Sequence, residues 1–312
     1  MEDPEISVES SVAPHQKKSA SYAVFKNRDF LVYLIGRAVA SLGQQMLVVA
    51  VDWELYDRTH STLALGLVGL SQMIPMILCT LPAGHLADNF NRKKIILAMT
   101  LALAVASVGL TLVSAYAAPV AWTYACLMVT GAARTFLWPA SAAFLPHLVP
   151  RSQFAQAVTF NSGVFQMSSV AGPALSGAVI ALMLRHYAHP AAWVYGFNAF
   201  ASLVCFGMVL LIRREHIVTE RQRMSLSNLG AGFKFVFENK IILGTITLDL
   251  FAVLLGGATS LLPVFSRDIL HSGPDGLGFL RAAMPFGAVL CALVLAHRGP
   301  MHKAGRAMLV SV

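Results

Sequence analysis

Eight long apolar stretches alternate with short polar segments along the chain, at roughly 30–52, 62–84, 95–117, 120–141, 157–184, 193–212, 241–264 and 276–297. About 20 consecutive apolar residues let a helix cross the hydrocarbon core of a bilayer, which is ~30 Å thick. The pattern therefore predicts an all-α, polytopic membrane protein with eight complete spans. A ninth apolar stretch begins at Ala304 and reaches Val312 after nine residues, too few to cross.

One polar segment is much longer than the others. Between Arg213 and Lys240, Leu226, Leu229, Phe233 and Val236 recur at helical spacing among polar residues. This predicts an amphipathic helix on the membrane face, inside a linker between two halves. The expected organisation is a tail over 1–28, a six-helix half over 29–212, a linker over 213–240 and an incomplete second half over 241–312. An internal repeat supports this division. Phe25-x-Asn27-Arg28 reappears as Phe237-x-Asn239-Lys240, an offset of 212. Gly66-Leu67-x-x-Leu70-x-x-x-Ile74-Pro75 reappears as Gly276-Leu277-x-x-Leu280-x-x-x-Met284-Pro285, an offset of 210. Arg92 aligns with Arg306, an offset of 214. Parallel repeats of six helices are a building principle of membrane transporters.

Composition and charge sharpen this picture. Charged residues make up 12% of the chain and hydrophobic ones 56%, with a mean hydropathy of +0.66. The net charge of +8 would suggest nucleic acid in a soluble protein, but its distribution points to lipid headgroups and excludes a nucleic-acid partner. With the N-terminus inside, 17 of the 23 Lys and Arg fall on cytoplasmic segments, three on outer loops and three within spans. That asymmetry predicts a cytoplasmic N-terminus. The first 28 residues lack the apolar core and cleavage site of a signal peptide, so the first span is expected to be an uncleaved anchor. Cys79, Cys126, Cys205 and Cys291 lie inside spans without metal-type spacing and read as packing residues.

Two motifs stand out. Gly84-His85-Leu86-Ala87-Asp88-Asn89-Phe90-Asn91-Arg92-Lys93-Lys94 is a short basic stretch between the second and third spans. It resembles the signature loop of the major facilitator superfamily, Gly-x-Leu-Ala-Asp-x-x-Gly-Arg-Arg/Lys. Gly84, Leu86, Ala87, Asp88, Arg92 and Lys93 match, and Asn91 replaces a glycine where a left-handed turn is expected. Gly172-Pro173-Ala174-Leu175-Ser176-Gly177 resembles the Gly-Pro-x-x-Gly-Gly element of antiporters in that superfamily, with Ser176 for one glycine. Proline removes a helix hydrogen bond and glycine permits close approach, which predicts a kinked, pliable segment.

The wider resemblance is to the enterobactin-exporter and macrolide-efflux branch of the superfamily. Leu81-to-Asp88, Gly172-to-Leu175, Ala231-Gly232-Phe233-x-Phe235 and Leu277-to-Ala288 carry it. It implies a twelve-helix fold and a substrate cavity between two halves, with proton-driven export of a bulky small molecule. Gly84, Asp88, Arg92 and Lys93 would then form a conformational switch, with Asp88 and Arg92 helping to latch the cytoplasmic side. Arg134 would occupy the place of the family's intramembrane arginine. On this reading about four further helices, on the order of 100 residues, are expected beyond the eighth span.

Charges inside apolar spans are the remaining candidates. Arg37, Asp52, Glu54, Arg134, Asp249 and Arg281 lie within or at the edges of spans. Each costs about 2.5–3.5 kcal/mol at the bilayer centre, so each needs a partner or a wet cavity. Asp52 and Glu54 sit near the end of the first span, where solvation is an equal alternative. Asp249 is deep in the seventh span. It reads either as a structural ion pair or as a proton-coupling carboxylate tuned by Arg134 or Arg281.

Gly230-Ala231-Gly232 lacks the third glycine of a dinucleotide fingerprint, and no nucleophile or metal motif appears. The chain reads as a non-enzymatic protein without a cofactor or metal. The expected function is a proton-coupled exporter of a siderophore- or drug-like small molecule. The alternative is a truncated, non-transporting membrane protein or scaffold. The oligomeric state is left open.

Overall fold

A computed structural model describes residues 23–213, 236–255 and 257–297. Eight helices carry the fold among these residues. They are α1 (Arg28–Thr59), α2 (Thr62–Asn89), α3 (Arg92–Ala115), α4 (Val120–Leu148), α5 (Phe154–Met183), α6 (Ala191–Leu211), α7 (Lys240–Leu255) and α8 (Gly273–His297). Between α7 and α8 the chain forms a 3₁₀ segment (Gly257–Leu261), a single turn (Leu262–Val264) and a π-helical turn (Phe265–Ile269). The linker helix expected around Leu226 to Phe233, the ninth stretch from Ala304, and Arg306 lie outside the described residues.

All six of the first helices exist, but α1, α2 and α4 run past their expected ends. Residues 52–59 are still helical, and α1 stops only at His60, whose left-handed backbone (φ 48°) ends the hydrogen-bond ladder. Six of the described helices are long and apolar enough to cross a membrane: α1, α2, α3, α5 with the turn before it, α6 and α8. The 29-residue α4 is long enough too, though Arg134, Pro139 and Pro146 interrupt its apolar run. The seventh span, expected over 241–264, is continuous helix only to Leu255 before the short turns begin.

Helices α1–α6 form one bundle. α1 packs against α5 and α6, α3 against α4 and α6, and α2 against α4. Two apolar clusters are stacked within it. One gathers Phe30, Leu34, Ile96, Phe144, Leu148 and Ile212 near the ends that carry the basic turns. The other gathers Leu47, Trp53, Leu110, Leu127, Ile180 and Tyr195 toward the opposite face. Because lipid gives little hydrophobic drive between helices, close packing and polar cross-links hold the bundle. Asn198 donates to Ser107 at 2.7 Å, Gln45 to Ser169 at 2.7 Å and Ser176 to the Met46 carbonyl at 2.8 Å.

Outside the bundle, α8 lies along α5. Gly177 and Gly278 meet at their crossing. A Cβ on Gly177 would stand 2.5 Å from the Pro274 carbonyl oxygen, and one on Gly278 2.5 Å from that of Pro173. The repeat is also placed coherently, since both Asn27 and Asn239 immediately precede a helix and both Pro75 and Pro285 lie inside one.

The crossing predicts opposite signs for two glycines of the same helix. Gly177→Ala should destabilise the detergent-solubilised protein by about 1–3 kcal/mol through overpacking. Gly163→Ala, with nothing within 4 Å, should be neutral or stabilising by up to about 1 kcal/mol. Thermal and chemical unfolding of the two variants checks both signs.

Candidate functional site

Between the two apolar clusters the bundle opens into a largely apolar cleft of about 840 Å³, open solvent at its mouth included. Arg37 on α1 and Arg134 on α4 both line it, together with Gln44, Ser141, Trp138 and Phe165. Arg37 lies nine residues into α1, about 14 Å along the axis, and Arg134 is at the middle of α4. Neither can reach a bilayer surface by extending its side chain, so the cleft itself must supply solvation. Tyr33 faces Arg37 and Ser141 from the floor. Neither arginine is in an ion pair among the described residues.

A second cavity, of about 630 Å³, opens between the bundle and the segment after α7. Gln45, Ser169 and Pro173 line it from one side, and Thr259, Arg281 and Pro285 from the other. Above it, toward the face opposite the basic turns, three charged or polar links join the end of α1 to this segment. Arg281 pairs with Asp52, Arg267 with Asp57, and the Tyr56 hydroxyl donates to Asp268. Asp52 is only 7% exposed, so the solvated alternative for it is corrected: α1 continues past it and covers it. Glu54 is half-buried and pairs within its own helix, with Arg58 at 3.5 Å. Arg281 is thus joined to Asp52 and not to Asp249. Asp249 is exposed on α7, which makes few contacts with the bundle.

The signature stretch is mostly helical, and only Phe90 and Asn91 separate α2 from α3. Asn91 does not adopt the expected left-handed backbone. Its φ is −61°, and its side-chain oxygen accepts from the backbone N–H groups of Lys93 (3.0 Å) and Lys94 (3.4 Å). It is a helix N-cap, a position for which asparagine is among the preferred residues. Arg92 reaches back to the Ala87 carbonyl (3.2 Å) and across to His147 of α4 (2.6 Å). Lys93 donates to the Ile212 carbonyl at the end of α6 (2.6 Å). These two cations tie the turn to the bundle, while Asp88 is exposed and Gly84 has open space around it.

The Gly172–Gly177 element sits where α5 is pressed from two sides. A Cβ on Gly172 would lie 2.5 Å from that of Gln45 on α1, and Gly177 receives α8 as described. α5 remains one helix through Pro173. Tyr56, Asp57, Arg267 and Asp268 escaped the sequence reading as site residues, and Gly278 entered it only within the stretch that carries the family resemblance. The first four looked like ordinary residues of solvated ends and loops. A surplus of opposite charges at two outer ends 210 residues apart was the only signal for them.

Residues 19–311 match the family model described as "Transmembrane secretion effector". The chain is 26% identical over 286 residues to the enterobactin exporter EntS of Shigella boydii serotype 4 (strain Sb227), covering 90% of this chain and 66% of that protein. It is 26% identical over 283 residues to the enterobactin exporter EntS of Salmonella choleraesuis (strain SC-B67), covering 90% and 67%. Against the uncharacterized MFS-type transporter YfiS of Bacillus subtilis (strain 168) the identity is 25% over 286 residues, covering 88% and 66%. The chain therefore spans about two thirds of the length of the curated relatives it matches.

Breaking a buried ion pair from one side leaves an uncompensated charge, which costs about 3–5 kcal/mol when burial is complete. Asp52 and Arg281 retain side-chain exposures of 10% and 17%, so Asp52→Asn or Arg281→Gln should each cost about 2–3 kcal/mol. The double variant should cost less than the sum of the two. A double-mutant cycle on unfolding free energies measures that coupling.

Proposed function

The chain belongs to the transmembrane secretion effector family of the major facilitator superfamily, and on that footing we propose that it works as a secondary active exporter. Its cargo would be a small siderophore- or drug-like molecule, moved across a bacterial inner membrane in exchange for protons. The N-terminus and the basic turns would face the cytoplasm, as the distribution of Lys and Arg favours. α1–α6 would form one half of the transporter, and α7 and α8 would begin the other.

The Asp52–Arg281 pair is the observation that carries this reading. It joins α1 to α8 across the seam where two halves of such a transporter must separate. A proton arriving on Asp52 cancels the charge that holds Arg281, and the guanidinium is then left in an apolar seam without its partner. The seam is weakened on the outer side, which lets the cavity open there. Passage of that proton, taken up from the outside, on to the cytoplasmic side restores the pair and closes the seam, so each cycle moves a proton inward in exchange for substrate. Asp249, exposed on α7, is a second carboxylate that could take part in proton movement. Asp88 would act at the cytoplasmic turn as a latch, away from the substrate.

Asp52→Asn should abolish export driven by a pH gradient in proteoliposomes while sparing exchange of substrate down its own gradient. Asp249→Asn measured alongside separates the two carboxylates, because only the one that couples protons should uncouple the gradient. Normal gradient-driven export by Asp52→Asn would remove that residue from the mechanism. Asp88→Asn should slow transport while equilibrium substrate affinity stays within a few-fold, and a large loss of affinity would show that Asp88 acts on binding.

A further inference from the structure

Among the described residues, the central cleft holds two cations and no carboxylate to neutralise them. Helices α3, α4, α5 and α6 contain no Asp or Glu at all. The acids of α1 and α2 lie toward helix ends, at Asp29, Asp52, Glu54, Asp57 and Asp88. Asp52 is engaged by Arg281 and stands fifteen residues from Arg37, about 22 Å along the helix. No carboxylate of the bundle can therefore turn into the cleft to meet Arg37 or Arg134.

A third donor sits beside them. The Gln44 side-chain nitrogen is buried without an acceptor, and its residue lines the same cleft. A buried donor of this kind ordinarily finds a partner. Together with the guanidiniums of half-buried Arg37, which Tyr33 also meets, and exposed Arg134, it describes a complement rich in acceptor oxygens. The cleft wall also presents Trp138 and Phe165, 69% and 41% exposed, as aromatic surfaces next to the arginines.

We propose that the Arg37–Arg134 cleft is a subsite for an organic anion, an amphipathic molecule with an acidic oxygen group and an aromatic or planar body. The acidic group sits between the two guanidiniums with the Gln44 amide donating to it. The planar body lies against Trp138 and Phe165. This assignment gives a substrate class to the exporter reading and rests on it for its role in transport, but the binding it describes stands by itself.

A matched pair of fluorescent probes tests it. 8-Anilinonaphthalene-1-sulfonate and N-phenyl-1-naphthylamine share one aromatic scaffold and differ by the sulfonate. Titrated into the full chain in phosphatidylcholine nanodiscs, with empty discs subtracted, the sulfonate should bind saturably and at least about tenfold more tightly than the neutral amine. Arg37→Gln and Arg134→Gln should each erase most of that preference while leaving the amine unchanged. Arg37→Lys and Arg134→Lys, which keep the charge, should retain part of it and serve if a glutamine variant does not fold. Equal binding of the two probes, or a preference untouched by both glutamine variants, would overturn the proposal. Abolition of sulfonate binding when phosphatidylglycerol replaces phosphatidylcholine would also overturn it, by assigning the cleft to a lipid headgroup. Uptake of both probes into everted vesicles, the direction of export, keeps the two readings apart. Anion-selective binding without any transport counts against the exporter, whereas transport without charge preference counts against this subsite.

Discussion

A carboxylate and a guanidinium in an apolar layer are tolerated far better together than apart, and the pairing of Asp52 with Arg281 governs how the six-helix bundle meets the rest of the chain. Either group alone costs about 2.5–3.5 kcal/mol at the bilayer centre on insertion scales. The pair can form only because α8 lies very close to α5. Gly177 and Gly278 remove the side chains that would hold the two backbones apart, and Arg281 follows Gly278 by one helical turn. Leu277, fully buried beside Gly278, locks the same turn into the apolar cluster around Leu47 and Ile180. Packing sets the position of α8, and the ion pair then fixes which residues face across the seam.

The two ends of the protein are held in different ways. At the basic face, Arg92 and Lys93 make their described hydrogen bonds to carbonyls and a histidine of the bundle itself. At the opposite face, Asp57 with Arg267 and Tyr56 with Asp268 bind the bundle to the segment that follows α7. The charged cross-links between bundle and segment thus gather at one face. The arginine-lined cleft and the second cavity lie on the other side of these links, between them and the basic face. Such an asymmetry is what a transporter needs if one gate is to be shut while the other is available to open.

Much of this was legible in the chain. Long apolar runs determined the helices, because a bilayer leaves a backbone no other way to satisfy its hydrogen bonds. The Gly84–Lys94 stretch and the Gly172–Gly177 element pointed to the family, which residues 19–311 then matched. Helix ends were less legible. Polar residues after position 51 looked like a solvated terminus, yet α1 continues to Thr59, where Asp52 and Asp57 have partners 210 or more residues away and Glu54 pairs with Arg58. Asn91 was expected to relax a turn and instead caps a helix, since the same side chain can do either and the backbone around it decides.

The sequence by itself determined at which positions charges would fall within long apolar helices, because periodicity and run length locate a residue along a helix. It could not determine their partners. Asp249 and Asp52 are both acids within apolar runs, and Arg134 and Arg281 are both arginines within them. Only the crossing of α8 over α5 gave Arg281 to Asp52 and left Asp249 exposed on α7, while the packing of α1 with α3–α6 brought Arg37 and Arg134 to one cleft with no carboxylate among the described residues. Partner choice depends on which helix faces meet. That is settled by side-chain volume at a few close contacts such as Gly177 and Gly278, and hydropathy carries no record of it.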